Sequence, residues 1–560
     1  MGVNKHSSLS KILIFFFIWS SATTAYAQGV SSWYLVSFTN KKGTPYTLSN
    51  PSQYLSERAI ARRQKNSIAI DSSDLPINPA YIDSIKSIGV EVYHQSRWLN
   101  AALVFINDSA EIRALNKSSI VDSIAFMAPY QNLKLKKHKA RKHKSRKHTI
   151  DKGEAISTFS ITSGRIDMVD LQPLMNMGYR GKGIQIAVLD NGFSNANTMA
   201  AFAPLFANGQ ILAVRNFTSD GKKVFSSGSH GTMVLSTMAA FVEGEFTGSA
   251  IGASYYLIQT EDNRSEFPVE EANWLFGAEF VDSLGTDIIT TSLGYTHFDS
   301  SQYNHWQGQL NGKTAIVSRA AQMATQKGIL VFCSAGNEGA KPWRKISFPA
   351  DAQGAITVGA VDDKEQIASF SSVGYSADGR VKPDLVALGY KAPIVSPQGK
   401  IFKANGTSFS TPFLAGAAAT LWQVASNATA AKLRQAILKS ARRYNNPDSI
   451  YGYGLPDFYL ASILLQIDTL KPSLTKENVL ILPNPFNSSF YILFTATKES
   501  KAEIALYDIN GKQVWFNNSF QTKKGKNFLQ INELSNLAQG MYILKITVDG
   551  LRISKKVIKQ

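Results

Sequence analysis

Cysteine is nearly absent from this sequence, in which Cys333 is the single one among 560 residues. One cysteine cannot form an intramolecular disulfide, so a scaffold of cross-linked loops is excluded. Stability must therefore come from hydrophobic cores, and a domain of about 300 residues can bury roughly three-quarters of its surface. Because Cys333 ends the apolar run 329–333, we expect a packed thiol rather than a reactive one.

Apolar runs long enough to span a membrane are also missing. The short run at 12–19 follows Lys5 and Lys11 and precedes a small-x-small stretch at 25–27. A charged start, a short apolar core and such an exit predict a secretory signal peptide over residues 1–27. We therefore predict an exported protein without a membrane span.

Acidic residues are outnumbered, with 41 Asp and Glu against 59 Lys and Arg. The excess is local, because nine basic residues and no acidic one lie between Lys134 and Lys147, and the segment from Asn478 onward carries a net charge of +6. These two regions account for fifteen of the eighteen net positive charges, so the middle of the chain is nearly neutral. A nucleic-acid-binding enzyme surface is not indicated.

Residues 28–132 predict a small α+β unit. Strand-like runs such as 33–38 and 101–106 alternate with helical stretches at 56–65 and 79–88. We expect the helix at 56–65 to be exposed, because it is rich in charged side chains.

Residues 133–152 predict a basic linker, since like charges at this density repel one another and stay solvated. A linker of this composition is an obvious target for proteolysis. Its three histidines are surrounded by lysines, so a metal site is not expected there.

Residues 153–466 change to an α/β pattern. Mostly continuous apolar runs at 184–189, 287–291, 328–332 and 355–361 alternate with helical stretches. Strands that are buried on both faces predict a parallel sheet with helices on both faces. Residues that follow these strands are candidates for an active site, because ligands bind at the carboxyl ends of parallel strands.

The carboxyl-terminal part differs again. Residues 467–477 are a polar, proline-containing linker, and residues 478–560 consist of short alternating runs. Asn510-Gly511 between two such runs is a strong hairpin signal. These features predict a small all-β sandwich.

Four residues of the types that a serine hydrolase uses lie at predicted strand ends or helix starts: Asp190, His230, Asn337 and Ser408. A serine hydroxyl is a weak nucleophile until a histidine removes its proton, and a carboxylate must orient that histidine. Charge on the attacked carbonyl needs fixed hydrogen-bond donors, such as an asparagine amide. Each motif alone could be an ordinary turn, loop or helix cap, but together they predict a serine hydrolase.

We place Pro412 in the first turn of the helix that follows Ser408, where a missing N–H costs nothing.

The segments around these residues resemble the subtilisin-like (subtilase) serine proteases over roughly residues 160–460, and the motif Gly-Thr-Ser-x-Ser-x-Pro at 406–412 is highly specific. The resemblance implies that Asp190 orients the histidine, that His230 is the general base and acid, and that Ser408 is the nucleophile. Asn337 and the Ser408 N–H would form the oxyanion hole.

The same resemblance implies the position of the substrate. One segment resembles the family's edge that pairs with the substrate backbone, and a second would complete the wall of the first specificity pocket: Ser292, Leu293 and Gly294, and Ser334, Ala335 and Gly336. Neither carries an acidic residue, which disfavours Lys or Arg in the pocket. Calcium sites are common in the family, but no ligand cluster is evident, so we predict no cofactor and name no metal ligand.

The two flanking units carry resemblances of their own. Residues 28–132 are similar in place and size to subtilase pro-regions, which act as folding assistants and inhibitors. Residues 478–560 resemble the sorting domain of the Bacteroidetes type IX secretion system, through the stretches 482–486, 505–512, 537–543 and 553–559. A carbohydrate-binding or accessory sandwich is the alternative for this unit.

Together these features predict a secreted serine endopeptidase that is made as a preproenzyme, leaves through the periplasm and acts outside the cell or at its surface on proteins or peptides. Its expected partners are its own pro-region and the type IX secretion machinery. Two alternatives stay open: another serine hydrolase, which the order Asp-His-Ser argues against, and an inactive adhesin or binding protein on a protease fold.

Overall fold

The computed structural model describes residues 31–130, 161–218, 221–467, 479–486, 488–532 and 534–560. The predicted signal peptide, the basic linker at 133–152 and nearly all of the linker at 467–477 lie outside the described residues. The predicted boundaries of the units therefore stay predictions.

Residues 31–130 form a four-stranded antiparallel sheet with the order β2-β3-β1-β4. The strands are β1 (Ser32–Phe38), β2 (Glu91–Ser96), β3 (Ala101–Ile106) and β4 (Val121–Pro129), and the helices are α1 (Glu57–Lys65), α2 (Pro79–Ser87) and α3 (Ser109–Lys117). Side chains alternate between the faces of the sheet. Val36 and Val104 pack with α2 and α3, whereas Leu35 and Leu103 pack on the α/β unit that follows. Sequence patterning missed α3 and β4.

A seven-stranded parallel sheet lies at the centre of residues 161–467, in the order β13-β12-β11-β10-β5-β9-β6. The strands of this unit, including two short hairpins, are β5 (Gln185–Asp190), β6 (Ile211–Asn216), β7 (Phe241–Val242), β8 (Phe246–Thr247), β9 (Ser254–Gln259), β10 (Ile288–Thr291), β11 (Leu330–Ser334), β12 (Ile356–Val361), β13 (Leu385–Leu388), β14 (Ala392–Val395) and β15 (Ile401–Ala404). The predicted parallel sheet is confirmed.

Helices cover both faces of this sheet. They are α4 (Ser163–Met168), α5 (Gln172–Asn176), α6 (Ala203–Ala207), α7 (His230–Ala239), α8 (Val269–Leu284), α9 (Ile316–Gln326), α10 (Thr407–Val424), α11 (Ala430–Lys439) and α12 (Phe458–Ile467). Ile186 and Val188 point to the core that contains α7 and α10, and Ala187 and Leu189 point to the core that contains α8 and α9. The helices of the described residues include none that is long and apolar enough to cross a bilayer.

Cys333 is fully buried in β11, as its apolar run predicts. Burial raises the pKa of its thiol to about 12, so the nucleophilic thiolate is scarcely populated near neutral pH.

Helix α10 is buried on all sides over residues 407–422, as its composition predicts. It begins at Thr407, however, so Pro412 lies in its second turn and not in the first. Pro412 has no N–H for the carbonyl of Ser408, four residues earlier. The hydroxyl of Ser292 donates to that carbonyl instead, at 2.9 Å, so the helix keeps its proline without an orphaned acceptor.

The expectation of an exposed helix at 56–65 is wrong, because part of α1 is buried against α8. Arg62 is 4% and Arg63 0% exposed, and both guanidinium groups donate to the carboxylate of Asp282. The charged composition of α1 correctly shows that the helix does not enter a hydrophobic core. It cannot show that a second unit covers the charges.

Residues 479–560 form two antiparallel sheets, β16-β17-β20 and β19-β18-β21-β22. The strands are β16 (Leu480–Leu482), β17 (Phe490–Ala496), β18 (Ser500–Tyr507), β19 (Gln513–Thr522), β20 (Gly525–Ile531), β21 (Gly540–Val548) and β22 (Leu551–Lys559). Ile492 of one sheet and Ile504 and Leu544 of the other share one core, and Asn510-Gly511 turns between β18 and β19 as predicted. Leu493, on the other face of β17, packs into the core around α12.

Candidate active site

The end of β5 and the start of α7 bring Asp190 and His230 together. His230 Nδ1 lies 2.8 Å from Asp190 Oδ1, which also accepts the N–H of Asn191 at 2.8 Å. The Asp190 side chain is fully buried, and the His230 side chain is 19% exposed. A buried carboxylate at Nδ1 holds the imidazole in the tautomer whose Nε2 can accept a proton.

Two glycines let these segments approach. The backbone of Gly192, at φ 120°, passes so close to the Ser227 carbonyl that an added Cβ would overlap it. Gly231 has no more room, because a Cβ there would strike the Gly192 carbonyl. The glycines beside Asp190 and His230 are therefore required for the contact between the two side chains, and not only for a local turn or helix cap.

Ser408 lies in the first turn of α10, beside the end of β10. Its hydroxyl donates to the Ser292 carbonyl at 3.4 Å. Helix α10 packs against α7, and the ring centroid of Phe409 is 6.1 Å from that of His230. Ser408 and His230 thus stand at the starts of two adjoining helices, where unpaired N–H groups and the helix dipole favour a negative charge.

Asn337 lies just beyond β11 and contacts the residue before Ser408. Its Oδ1 accepts the N–H of Thr407 at 3.0 Å and the Thr407 hydroxyl at 2.8 Å. Because both hydrogen bonds use the amide oxygen, the amide orientation is set and Nδ2 is left as a donor toward the start of α10.

The predicted wall segments of the specificity pocket also meet. The Ser334 hydroxyl donates to the Leu293 carbonyl at 3.3 Å. A Cβ added at Gly294 or at Gly336 would meet the hydroxyl oxygen of Ser347, which therefore lies between these two walls. That oxygen is buried and has no hydrogen-bond partner among the described residues. Sequence reasoning missed Ser347, because only the fold brings it between segments that are distant along the chain.

A cluster of carboxylates that sequence reasoning did not single out lies near Asp190. One oxygen from each of Glu261, Glu266 and Glu270 lies within 4.8 Å of the other two. Burial raises the pKa of Glu261 to about 7, the Tyr295 hydroxyl opposes this rise, and the charge of Asp190 adds to it. The signal available in the sequence was three glutamates within ten residues after a buried strand.

A parallel α/β sheet with a carboxylate–histidine pair at one edge and a serine at the start of an adjoining helix is an arrangement typical of serine hydrolases. Residues 181–454 match the Subtilase family, residues 33–147 match the Peptidase S8 propeptide domain of Bacteroidota, and residues 480–560 match a secretion system C-terminal sorting domain. The chain belongs to the subtilase family and is a serine-type endopeptidase.

Several curated subtilisins are similar to this chain. Subtilisin NAT of Bacillus subtilis subsp. natto is 31% identical over 299 residues, which cover 52% of this chain and 68% of the relative. Subtilisin E of Bacillus subtilis (strain 168) is 30% identical with the same coverage. Subtilisin Savinase of Lederbergia lenta is 29% identical over 296 residues, which cover 52% of this chain and 94% of the relative.

The matches to the flanking units confirm the resemblances found in the sequence. The amino-terminal unit is a subtilase propeptide, and the carboxyl-terminal unit is a sorting domain of the type IX secretion system. The protein is therefore a secreted or cell-surface subtilase.

Proposed function

We propose that this enzyme hydrolyses peptide bonds through an acyl-enzyme formed on Ser408, with His230 as general base and acid and Asp190 as the residue that orients it. The observation that carries the proposal is the 2.8 Å contact between His230 Nδ1 and the buried Asp190 carboxylate. It leaves Nε2 as the proton acceptor at the start of a helix that packs against the helix of Ser408.

Acylation begins when the Ser408 hydroxyl turns from the Ser292 carbonyl to His230 Nε2. His230 takes the proton as the serine oxygen attacks the carbonyl carbon of the scissile bond, and the ionised Asp190 stabilises the imidazolium. Negative charge develops on the former carbonyl oxygen, where Asn337 Nδ2 and the Ser408 N–H donate to it.

The tetrahedral intermediate then loses the amine. The C–N bond breaks, His230 gives its proton to the leaving nitrogen, and an ester to Ser408 remains. A water molecule attacks this ester while His230 removes its proton. Collapse of the second intermediate returns the proton to the serine oxygen and releases the new carboxyl terminus.

Proteins and peptides are the proposed substrates. The stretch Ser292 to Gly294 pairs with the substrate backbone, and the pocket between it and the stretch Ser334 to Gly336 receives the side chain before the scissile bond. The polar group between these walls is the hydroxyl of Ser347 and not a carboxylate, which disfavours Lys and Arg and favours small or uncharged side chains.

The enzyme matures from a preproenzyme by losing residues 28 to about 150, with the final cut in or just after the basic tract, because a linker of this composition is an expected target for proteases. The removed pro-region assists folding and inhibits the protease, and the type IX machinery recognises the sorting domain. Amino-terminal sequencing of the secreted form tests whether the pro-region is removed and where it is cut. A fully active enzyme that starts at Gln28 would contradict it.

Labelling with a fluorophosphonate probe tests the catalytic proposal. The mature protein should react at one serine, Ser408, because only an activated hydroxyl attacks the phosphorus. Ser408→Ala and His230→Ala should abolish labelling. Ser410→Ala is the matched control, since this serine lies in the same helix and its hydroxyl donates to the Thr407 carbonyl. A folded wild-type protein that does not react would favour the inactive binding protein.

A further inference from the structure

Three glutamates meet at the carboxyl end of β9, outside the proposed triad. Glu261 lies two residues beyond Gln259, where β9 ends, and Glu270 lies in the first turn of α8. Glu270 is only 2% exposed and Glu261 is also buried, whereas Glu266, on the loop between them, is half-buried. One oxygen from each lies within 4.8 Å of the others, a spacing that suits shared coordination of one ion.

Each buried carboxylate is held by donors from outside the cluster through one oxygen. Glu261 Oε1 accepts the Tyr295 hydroxyl at 2.6 Å and the Thr260 hydroxyl at 2.9 Å. Glu270 Oε1 accepts the N–H of Asp262 at 2.9 Å. These bonds fix the orientation of both groups and leave their second oxygens for another interaction.

The second oxygen of Glu270 is an independent sign that a ligand belongs here. Glu270 Oε2 is buried and accepts no hydrogen bond from any described residue. A buried carboxylate oxygen without a donor or a counter-charge is strongly unfavourable. Among the described residues, Arg264 pairs with Asp262 and His305 pairs with Glu271.

We propose that Glu261, Glu266 and Glu270 bind a hard divalent cation, and that calcium is the best match. The three side chains offer oxygen ligands only, without the imidazole or thiolate that zinc and copper prefer. Calcium accepts carboxylate oxygens in irregular arrangements and completes its shell with water, which can enter on the half-buried side at Glu266.

A cation at this position would tie the loop after β9 to the start of α8, next to the candidate active site. The N–H of Thr260 donates to the Asp190 carbonyl at 3.0 Å, and the Asn191 amide donates to Asn263 Oδ1 at 3.1 Å. An ion bound by Glu261, Glu266 and Glu270 therefore fixes the conformation of the loop whose Thr260 and Asn263 contact the segment that carries Asp190. Its role is to stabilise this wall, and it takes no part in the proposed chemistry.

Terbium luminescence tests the site directly. The full-length precursor with Ser408→Ala is used, so that the protein does not digest itself. Excitation of aromatic residues should give luminescence from bound Tb³⁺, because the Tyr295 hydroxyl lies 2.6 Å from Glu261 Oε1, and an excess of Ca²⁺ should displace the signal. Glu270→Gln should weaken Tb³⁺ and Ca²⁺ binding by about ten-fold or more, since affinity depends on the number of charged ligands.

Glu243→Gln is the matched control, because Glu243 is exposed and its substitution removes the same charge elsewhere. Calorimetric titration with Ca²⁺ should detect binding to this control and to the parent, and a weaker or missing event in Glu270→Gln. If Glu270→Gln does not fold, Glu266→Gln at the half-buried position serves as the second variant. Equal Ca²⁺ and Tb³⁺ affinity in all these proteins, or no binding to the parent, would overturn the proposal and leave protons as the occupants of the cluster.

Discussion

The propeptide is attached to the catalytic unit through a buried carboxylate, and neutralising that carboxylate should release it. Asp282 of α8 accepts hydrogen bonds from Arg62, from Arg63 at 2.9 Å and from Arg97 at 2.7 Å, and all three arginines belong to the propeptide. Its carboxylate is fully buried, and the three arginine side chains are 11% exposed or less. The perturbation is Asp282→Asn, which keeps the size of the side chain and removes its charge.

The expected loss of binding free energy depends on the three buried guanidinium groups, which lose their shared carboxylate in this variant. Burial alone would raise the pKa of Asp282, but Arg62, Arg63 and Arg97 outweigh burial and hold the pKa below its ordinary value. Removing one partner from a buried ion pair costs about 3–5 kcal/mol. The guanidinium groups keep other acceptors, such as the Thr286 carbonyl for Arg62 and Asp74 for Arg63, so we expect about 3 kcal/mol. That corresponds to a dissociation constant raised by roughly 100-fold.

The assay uses the Ser408→Ala precursor, nicked with trypsin in the Lys134–Lys147 tract, which offers nine basic cleavage sites. The nicked propeptide is then held only by non-covalent contacts, and its dissociation is followed by gel filtration at a series of dilutions. The ionised form of Asp282 supports the complex, so this contribution is present above the ordinary carboxylate pKa and is lost as the pH falls through the lowered one.

Asp287→Asn is the matched control. Asp287 pairs with Arg58, whose side chain is 40% exposed, so this pair should contribute about 1 kcal/mol or less. If both variants released the propeptide equally, or if Asp282→Asn had no effect, the reasoning would be refuted. The apolar contacts of Leu35 and Leu103 with the α/β unit would then account for the affinity.

Three further predictions concern other parts of the molecule. Asn337→Ala should lower kcat by about 10²–10³ with little change in KM, since the amide acts as charge develops, and steady-state kinetics would reveal a binding role if only KM changed. Ser347→Val should shift preference toward smaller side chains before the scissile bond by about ten-fold on a peptide series, and an unchanged preference would remove Ser347 from the pocket. Burial of the propeptide's His94 against the rings of Phe217 and Phe276 lowers its pKa, so the free propeptide binds a proton more readily and the complex should weaken below about pH 6.5. His94→Phe cannot take up that proton, so the ratio of the wild-type to the variant dissociation constant should rise from pH 7.5 to 5.5, and a constant ratio would exclude this cause.

The central sheet could be predicted from sequence because burial on both faces requires a continuous apolar pattern within each strand. A strand such as β5 must be apolar at every position, and α10 must be apolar on every side, so both patterns can be read within one segment. The same holds for the Asn510-Gly511 hairpin, whose conformation depends on the two residues themselves. The candidate site residues could be proposed from the sequence because the carboxyl ends of parallel strands lie at one edge of a sheet, where ligands bind.

Contacts between distant segments could not be predicted in this way, because no local sequence pattern indicates them. The hydroxyl of Ser292 replaces the hydrogen bond that Pro412 cannot make. Ser347 lies in the pocket between Gly294 and Gly336. The residues around Ser292 and Ser347 in the sequence do not indicate these distant contacts. The same is true of Glu270, whose carboxylate belongs to a cluster only because the loop after β9 folds back on α8.

The sequence by itself therefore determined the secondary structure of the core and which residues are candidates for the chemistry, because propensity, burial and residue type are properties of each segment. Tertiary structure alone decided which charges are buried. Arg63 looks like a solvated side chain on a polar helix, but it is fully enclosed, because Asp74 of the propeptide and Asp282, more than two hundred residues later across the propeptide interface, both accept its hydrogen bonds. The physical reason is that the cost of burying a charge depends on the partner across the interface, and that partner is chosen by the fold.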